Sequence, residues 1–230
     1  MIDIHSHILP CVDDGSKSAS QSLSMVKTAI SQGVTDLFLT PHYRGVFTFC
    51  KEKLAKEFED FKNLVKQQNL PINLYLGQEI YFDEQAKDCL KNGELLTMNG
   101  TKYIMLEFSY NQSTDIAEAV YQTKYMGYKP IVAHIERYSY LTIDEICEIK
   151  SLGGIIQVNA DSLLGKVYGI SKRNILNLIQ NDLVDVVAGD MHFNREYLMQ
   201  TAYKFTNKKF GQQVADKLFI QNAKSIVQGD

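Results

Sequence analysis

Residues 2–7 read Ile2-Asp3-Ile4-His5-Ser6-His7, an apolar start that ends in two histidines two positions apart. On an extended strand, side chains at i and i+2 share a face, so both imidazoles point the same way. Two inward imidazoles are costly to bury alone, and a shared cation satisfies both. The pattern recurs along the chain. His42 follows Leu37-Phe38-Leu39-Thr40-Pro41, His134 follows Ile131-Val132-Ala133, and His192 closes Gly189-Asp190-Met191-His192. These are all five histidines of the sequence, and none is left in a helix or an ordinary loop. Histidine is the commonest neutral metal ligand, so the distribution points to a metal site with more than one ion.

Working outward, short apolar runs at 2–5, 36–40, 72–76, 103–107, 130–133, 154–158 and 184–188 are expected strands. Amphipathic stretches at 20–32, 51–68, 116–126, 143–152, 173–180, 195–206 and 212–220 are expected helices. In 20–32, Leu23, Val26, Ala29 and Ile30 line one face and Gly33 is the stop. In 51–68, Leu54, Phe58, Phe61 and Val65 do the same beneath a Lys/Glu surface. Such alternation implies βαβ units and a parallel sheet. Seven units approach a complete (β/α) barrel, and no linker, repeat or low-complexity block divides residues 1–230, so one domain is expected.

The polar residues support a barrel. Nearly every expected strand ends in, or is soon followed by, a residue able to bind metal or phosphate: His5 and His7, His42, Glu79, Glu107, His134, Asn159 and Asp190. Barrel active sites are built from C-terminal strand ends and the loops that follow, so one fold brings all of these together. Glu107 follows the wall-like run Tyr103-Ile104-Met105-Leu106, a poor place for a lone carboxylate. Asp190 and His192 repeat the same-face spacing of His5 and His7. Asp13 and Asp14 precede Gly15, where Asp serves equally as turn former, helix cap or ligand. Two carboxylates with several imidazoles exceed what one four- or five-coordinate ion uses.

Bulk properties narrow the class. With 230 residues, 45% hydrophobic, the chain can bury a sizeable core. A net charge of −3 and a pI near 6.0 give no electrostatic reason for a nucleic-acid partner. No signal-peptide pattern is present and no apolar run approaches the roughly 18 residues of a membrane span, so a cytoplasmic protein without membrane insertion is expected. Cys11, Cys50, Cys89 and Cys147 form no Cys-x-x-Cys pair and are expected as reduced thiols.

The motifs together resemble the polymerase-and-histidinol-phosphatase (PHP) superfamily. They are Asp3-Ile4-His5-Ser6-His7-Ile8-Leu9-Pro10 with Asp13-Asp14-Gly15, Thr40-Pro41-His42, Gly77-Gln78-Glu79-Ile80, Leu106-Glu107-Phe108, Val132-Ala133-His134-Ile135-Glu136-Arg137-Tyr138 and Gly189-Asp190-Met191-His192. Within it, Ala133-His134-Ile135-Glu136-Arg137 and the short length resemble the manganese-dependent protein-tyrosine phosphatases of Gram-positive capsule and exopolysaccharide operons. The resemblance implies an α/β fold, a distorted (β/α)7 TIM-like PHP barrel, holding three divalent metal ions. It implies that His5, His7, Glu79 and Asp190 hold one ion. Glu79 would bridge to a second with Glu107 and His134, and Asp14, His42 and His192 would hold the third. Arg137 matches a phosphate-gripping arginine. Arg195 stands for a second one at a shorter spacing from His192, with Arg44 a competing choice. Gly189 stands where relatives often carry Ser. The implied partner is a phosphotyrosine protein, the tail of a membrane-associated bacterial tyrosine kinase.

The ligand chemistry suits that activity. Oxygen and nitrogen donors without thiolate fit Mn, and equally Fe, Zn or Mg. Neighbouring ions lower the pKa of a bridging water to give hydroxide near neutral pH, in line with phosphorus. Arg137 would stabilise charge on the phosphoryl oxygens. A phenolate, with a pKa of about 10, needs less acid assistance than an alkoxide. A cysteine-based phosphatase is excluded, because the residues six positions after the cysteines are Lys17, Lys56, Leu95 and Gly153 rather than Arg. No P-loop is present. The alternatives are a histidinol-phosphate phosphatase or nuclease-like phosphodiesterase on the same metal centre, or a non-catalytic, metal-stabilised regulator that binds a kinase. An amidohydrolase-type barrel would leave Asp14, His42, Glu79 and Glu107 unexplained together.

Overall fold

The computed structural model describes residues 1–166 and 172–230. Strands β1 (Ile2–Asp3), β2 (Asp36–Leu39), β3 (His42–Tyr43), β4 (Asn73–Leu76), β5 (Glu79–Tyr81), β6 (Tyr103–Glu107), β7 (Lys129–Val132), β8 (Ile155–Asn159) and β9 (Val186–Ala188) are interleaved with helices. The helices are α1 (Ala19–Ser31), α2 (Lys51–Gln67), α3 (Glu84–Lys91), α4 (Ile116–Tyr125), α5 (Ile143–Ser151), α6 (Ala160–Leu163), α7 (Lys172–Gln180), α8 (Met199–Phe210), α9 (Gln212–Asp216) and α10 (Asn222–Gln228).

Every strand pairing is parallel. One arc runs β1-β2-β4 and the other β3-β5-β6-β7-β8-β9. The arcs are continuous in the chain, because β3 resumes β2 after Thr40-Pro41 and β5 resumes β4 after Gly77-Gln78. The sequence suggested single strands ending at 40 and 76. Pro41 has no N–H to donate, so the ladder bends there. It is not lost: the Gly77 N–H reaches the Leu39 carbonyl at 2.9 Å and the Glu79 N–H reaches that of Pro41 at 3.1 Å. First and last strands meet through a Ser6–Met191 bridge, with the His7 N–H 2.9 Å from the Met191 carbonyl. The result is a distorted β/α barrel of seven strand positions.

Other boundaries moved for local reasons. The first strand was expected over 2–5 but ends at Asp3, whose carboxylate accepts the N–H of His5 at 3.2 Å and that of Gly189 at 2.9 Å. That break lets Ile4 pack in the interior while His5 still reaches the site. The helix expected from 195 starts at Met199, since a turn occupies 192–195. The terminal helix continues past 220 through a π-turn at Lys217–Gln221 into α10. Helix α3, capped by Asp83, was not anticipated.

Helix ends follow their side chains. The Ser18 hydroxyl caps α1, Asp115 caps α4, and Thr142 with Glu145 forms a full capping box on α5. Leu54, Phe58, Phe61 and Val65 form the buried face of α2, as their spacing predicts. Along β6, Ile104 and Leu106 pack outward under the helices, whereas Tyr103 and Met105 join an interior cluster. Ile2, Ile4, Phe38, Ile131, Ala133, Val186 and Ala188 complete that interior, and Ala223 and Ile226 of α10 plug it from below. The opposite, C-terminal end is left for polar side chains.

Candidate metal centre

The nine proposed ligands converge at that end. Among the described residues, four groups have donor atoms within 4.8 Å of one another: His7, Asp14, His42 and His192; His5, His7 and Asp190; His5, Glu79 and His134; and His42, Glu79 and Glu107. Together these groups contain every residue proposed as a ligand. They differ from the expected grouping: His7 also faces the Asp14 group, Glu79 is not grouped with His5, His7 and Asp190 together, and Glu107 and His134 fall in separate groups, each with Glu79. Glu79 is the hub, with Oε1 at 3.3 Å from His5 Nε2 and 2.7 Å from His134 Nε2. Its Oε2 lies 3.3 Å from His7 Nε2 and 2.9 Å from His42 Nδ1. Eight of the nine are buried, and Asp14, 54% exposed, opens the cluster to solvent between His42 and His192.

This donor set fits divalent cations. His5 and His7 each direct Nδ1 at an acceptor, Gln157 Oε1 and Asp13 Oδ2, which leaves two bare Nε2 atoms facing each other at 3.2 Å with no proton between neutral rings. His42 Nδ1 and Glu79 Oε2 are close but misaligned, and both are buried without a hydrogen-bond partner. Unsatisfied buried atoms of this kind are rare, and a cation between them satisfies both. His134 and Asp190 adopt φ of 33° and 45°, a left-handed backbone that costs energy for residues with a Cβ.

Protonation divides the cluster: burial opposes charge on His5 and His7, but Glu79 and Asp190 around the one and Asp13 beside the other outweigh it and raise both pKa values. Burial, with Arg137 nearby, lowers the His134 pKa to about 4, so the ring is neutral at pH 7. Burial opposes the charge on Glu79, but His5 and His42 outweigh it and hold this carboxyl well below the usual range. Burial likewise opposes ionisation of Asp190, and Arg137 and His5 reverse it. Glu107 is the contrast, raised by burial and by its neighbour Glu79.

Three arginines enter from the segments that follow β3, β7 and β9. Arg137 Nη2 donates to Asp190 Oδ2 at 2.6 Å, and Arg195 Nη1 reaches the same oxygen at 3.1 Å. Arg44 Nη1 lies 3.3 Å from Glu107 Oε1 on the other flank. Arg137 and Arg195 therefore address one point, and Arg44 a second.

Several contributing residues escaped the sequence reading. Asp13 is buried, and its Oδ2 accepts from His7 Nδ1 at 2.7 Å and from the His42 N–H at 3.2 Å. It therefore turns the bare Nε2 of His7 toward the cluster. Gln157 Oε1 does the same for His5 Nδ1 at 3.2 Å while accepting the His134 N–H at 2.9 Å. Tyr110 donates to Glu107, and its phenol is held protonated by burial and by that carboxylate. The Asp13-Asp14-Gly15 run was the one available signal, since both Asp were considered there. Gly15 is itself required: a Cβ would stand 2.0 Å from the His7 carbonyl oxygen.

Comparison with known proteins agrees with this geometry. Residues 1–228 match the family profile described as "Capsular polysaccharide synthesis, CpsB/CapC". The tyrosine-protein phosphatase CpsB of Streptococcus pneumoniae is 34% identical, over 99% of this chain and 98% of its own length. The tyrosine-protein phosphatase YwqE of Bacillus subtilis (strain 168) is 31% identical, over 99% and 91%. A crystal structure from work on B. subtilis YwqE and S. pneumoniae CpsB, described as unique metal-dependent tyrosine phosphatases, superposes with a TM-score of 0.91. It is 27% identical and covers 100% of this chain and 95% of that one.

Proposed function

The chain belongs to the CpsB/CapC family of capsular polysaccharide synthesis, and from that premise we propose that it is a metal-dependent protein-tyrosine phosphatase. Residues 1–230 would work as one catalytic unit in the cytoplasm, with the phosphotyrosine tail of a membrane-associated bacterial tyrosine kinase as substrate. Among the described residues, no helix is long and apolar enough to cross a membrane. The observation that carries the reading is the convergence of nine nitrogen and oxygen donors beside Arg137 and Arg195 at one barrel end.

In this reading three divalent cations bind, manganese before iron, zinc or magnesium. His5, His7, Glu79 and Asp190 would hold one, Glu79 with Glu107 and His134 a second, and Asp14, His42 and His192 the third. When bound, such cations activate water for attack on phosphorus and offset phosphoryl charge. The protein's own groups supply orientation. Asp13 and Gln157 fix the tautomers of His7 and His5, and Glu79 links the rings at the centre. Arg137 and Arg195, poised on Asp190, swing to the non-bridging oxygens, where paired guanidinium donors give strong charge-assisted bonds. Burial disfavours the Arg137 charge, but Asp190 and Tyr110 outweigh it and raise its pKa, so it stays cationic.

The test uses protein stripped by chelation and reconstituted with manganese. Turnover should be high on a phosphotyrosine peptide and low on histidinol phosphate and single-stranded DNA. Chelation should also lower Tm by about 5–10 °C, because binding at ~100 times Kd stabilises by about 2.7 kcal/mol. A peptide rate no better than the other two would sink the assignment. Binding to a kinase without any phosphatase activity in the reconstituted protein would support a regulator instead.

A further inference from the structure

Two tight turns border the exposed side of the centre, and they are built alike. Residues 44–47 form a two-residue hairpin closed by the Phe47 N–H to the Arg44 carbonyl at 2.9 Å and the reverse bond at 3.3 Å. Gly45, at φ 55°, supplies the positive dihedral that a type II′ hairpin needs at its first central position. Residues 192–195 form the second turn, closed by the Arg195 N–H to the His192 carbonyl at 3.1 Å. In each turn an arginine folds inward onto a carboxylate of the cluster, Arg44 onto Glu107 and Arg195 onto Asp190. In each, an apolar residue stays outside: Val46 is 85% exposed and Phe193 is 53% exposed.

Single exposed apolar side chains are ordinary on any surface. These two are set apart by position. Phe193 directly follows His192, and Val46 neighbours Phe47, whose ring stacks on His42 at 6.4 Å and 18°. His42 and His192 flank Asp14, the exposed member of the nine, at 3.5 and 3.4 Å. Asp14 is thus the exposed point of the centre, and the two turns leave the chain beside the histidines on either side of it, each with its arginine turned in and its apolar residue turned out.

We infer that Val46 and Phe193 form an apolar pair of jaws that grips the aromatic ring of the substrate while Arg137 and Arg195 meet its phosphoryl group. A phenyl ring has two apolar faces and a single ester oxygen, so it fits between such jaws. A short alkyl alcohol such as a seryl side chain would leave both residues in water. Ring contact gives selection for aryl over alkyl phosphates that the metal centre alone does not provide, because its donors address only the phosphoryl end. The inference rests on the phosphatase reading and adds to it the residues that choose the ester.

The test pairs kinetics with binding in the manganese-loaded protein. Val46→Ser and Phe193→Ser should each raise KM for a phosphotyrosine peptide roughly three- to tenfold with kcat little changed, the mark of lost ring contact rather than lost chemistry. Phe193→Tyr should restore it. By calorimetry, phenylphosphonate should weaken by the same factor while inorganic phosphate, which has no ring, keeps its affinity. Unchanged phenylphosphonate affinity in both variants, or an equal loss for inorganic phosphate, would overturn the jaws. Failure of the wild-type protein to hydrolyse the peptide would instead overturn the phosphatase reading, so the two failures are separable.

Discussion

Tyr103, Met105 and Glu107 share one face of β6, yet their surroundings differ completely. Tyr103 and Met105 sit in an apolar floor with Ile2, Ile4, Phe38 and Ile131, closed from below by Ala223 and Ile226. Glu107, two residues on, faces Glu79, His42 and Arg44. The floor is held by burial of apolar area, which is tolerant of conservative exchange and needs nothing from solution. The upper end concentrates like and unlike charges whose desolvation is compensated only when every donor has a partner. One strand can therefore contribute to stability at its start and to chemistry at its end, with little exchange between the two.

Three substitutions probe that division. The largest effect is expected at the upper end. Asp190→Asn should cut phosphatase turnover on the order of a thousandfold, because Asp190 meets His5, His7, Arg137 and Arg195 at once. Thermal unfolding should change far less than turnover, and a parallel collapse of Tm would erase the distinction between the two ends. Next comes the floor. Met105→Ala leaves a cavity among fully buried neighbours and should cost about 3 kcal/mol, lowering Tm by roughly 10 °C. Metal content measured by elemental analysis, and kcat below the transition, should stay at wild-type levels. The smallest effect sharpens the boundary. Asp13→Asn removes the charge that orients His7 without removing a proposed ligand, and metal affinity should fall by about 10- to 100-fold with the fold intact by circular dichroism. Equal affinity in a manganese titration would reduce Asp13 to a turn residue.

Position Gly189 shows where the sequence reading was too simple. Exchange with Ser looks like a change between small residues, yet a Cβ here would stand 2.4 Å from the Tyr197 ring and 2.5 Å from Asp3 Oδ2. Tyr197 donates to Asp3 at 2.7 Å, and Asp3 in turn accepts the Gly189 and His5 N–H groups. A pair of residues 194 positions apart thus decides what a third may be. Spacing along the chain carries no trace of such a contact.

The ordered strands and helices, and the placing of all five histidines at strand ends, could be read from the chain because hydrophobic periodicity and strand alternation are local properties. The motifs likewise named a family with its own expectations for Asp14, Glu79 and Glu107. Other features depended on how the strands lie against one another in space. The strand through Pro41 keeps its ladder only because Gly77 and Glu79 of the neighbouring strand bond across the bend, and β1 ends early where the Asp3 carboxylate takes the N–H groups of His5 and of distant Gly189. Asp13 rather than Asp14 turns His7, and Gln157 turns His5 from 152 positions away, since only the barrel brings those atoms within hydrogen-bond reach. Residue type and local period determined which side chains could take part in metal and phosphate chemistry. The tertiary structure alone decided which of them face one another, because hydrogen bonds and charge interactions act over a few ångströms of space, whatever the separation along the chain.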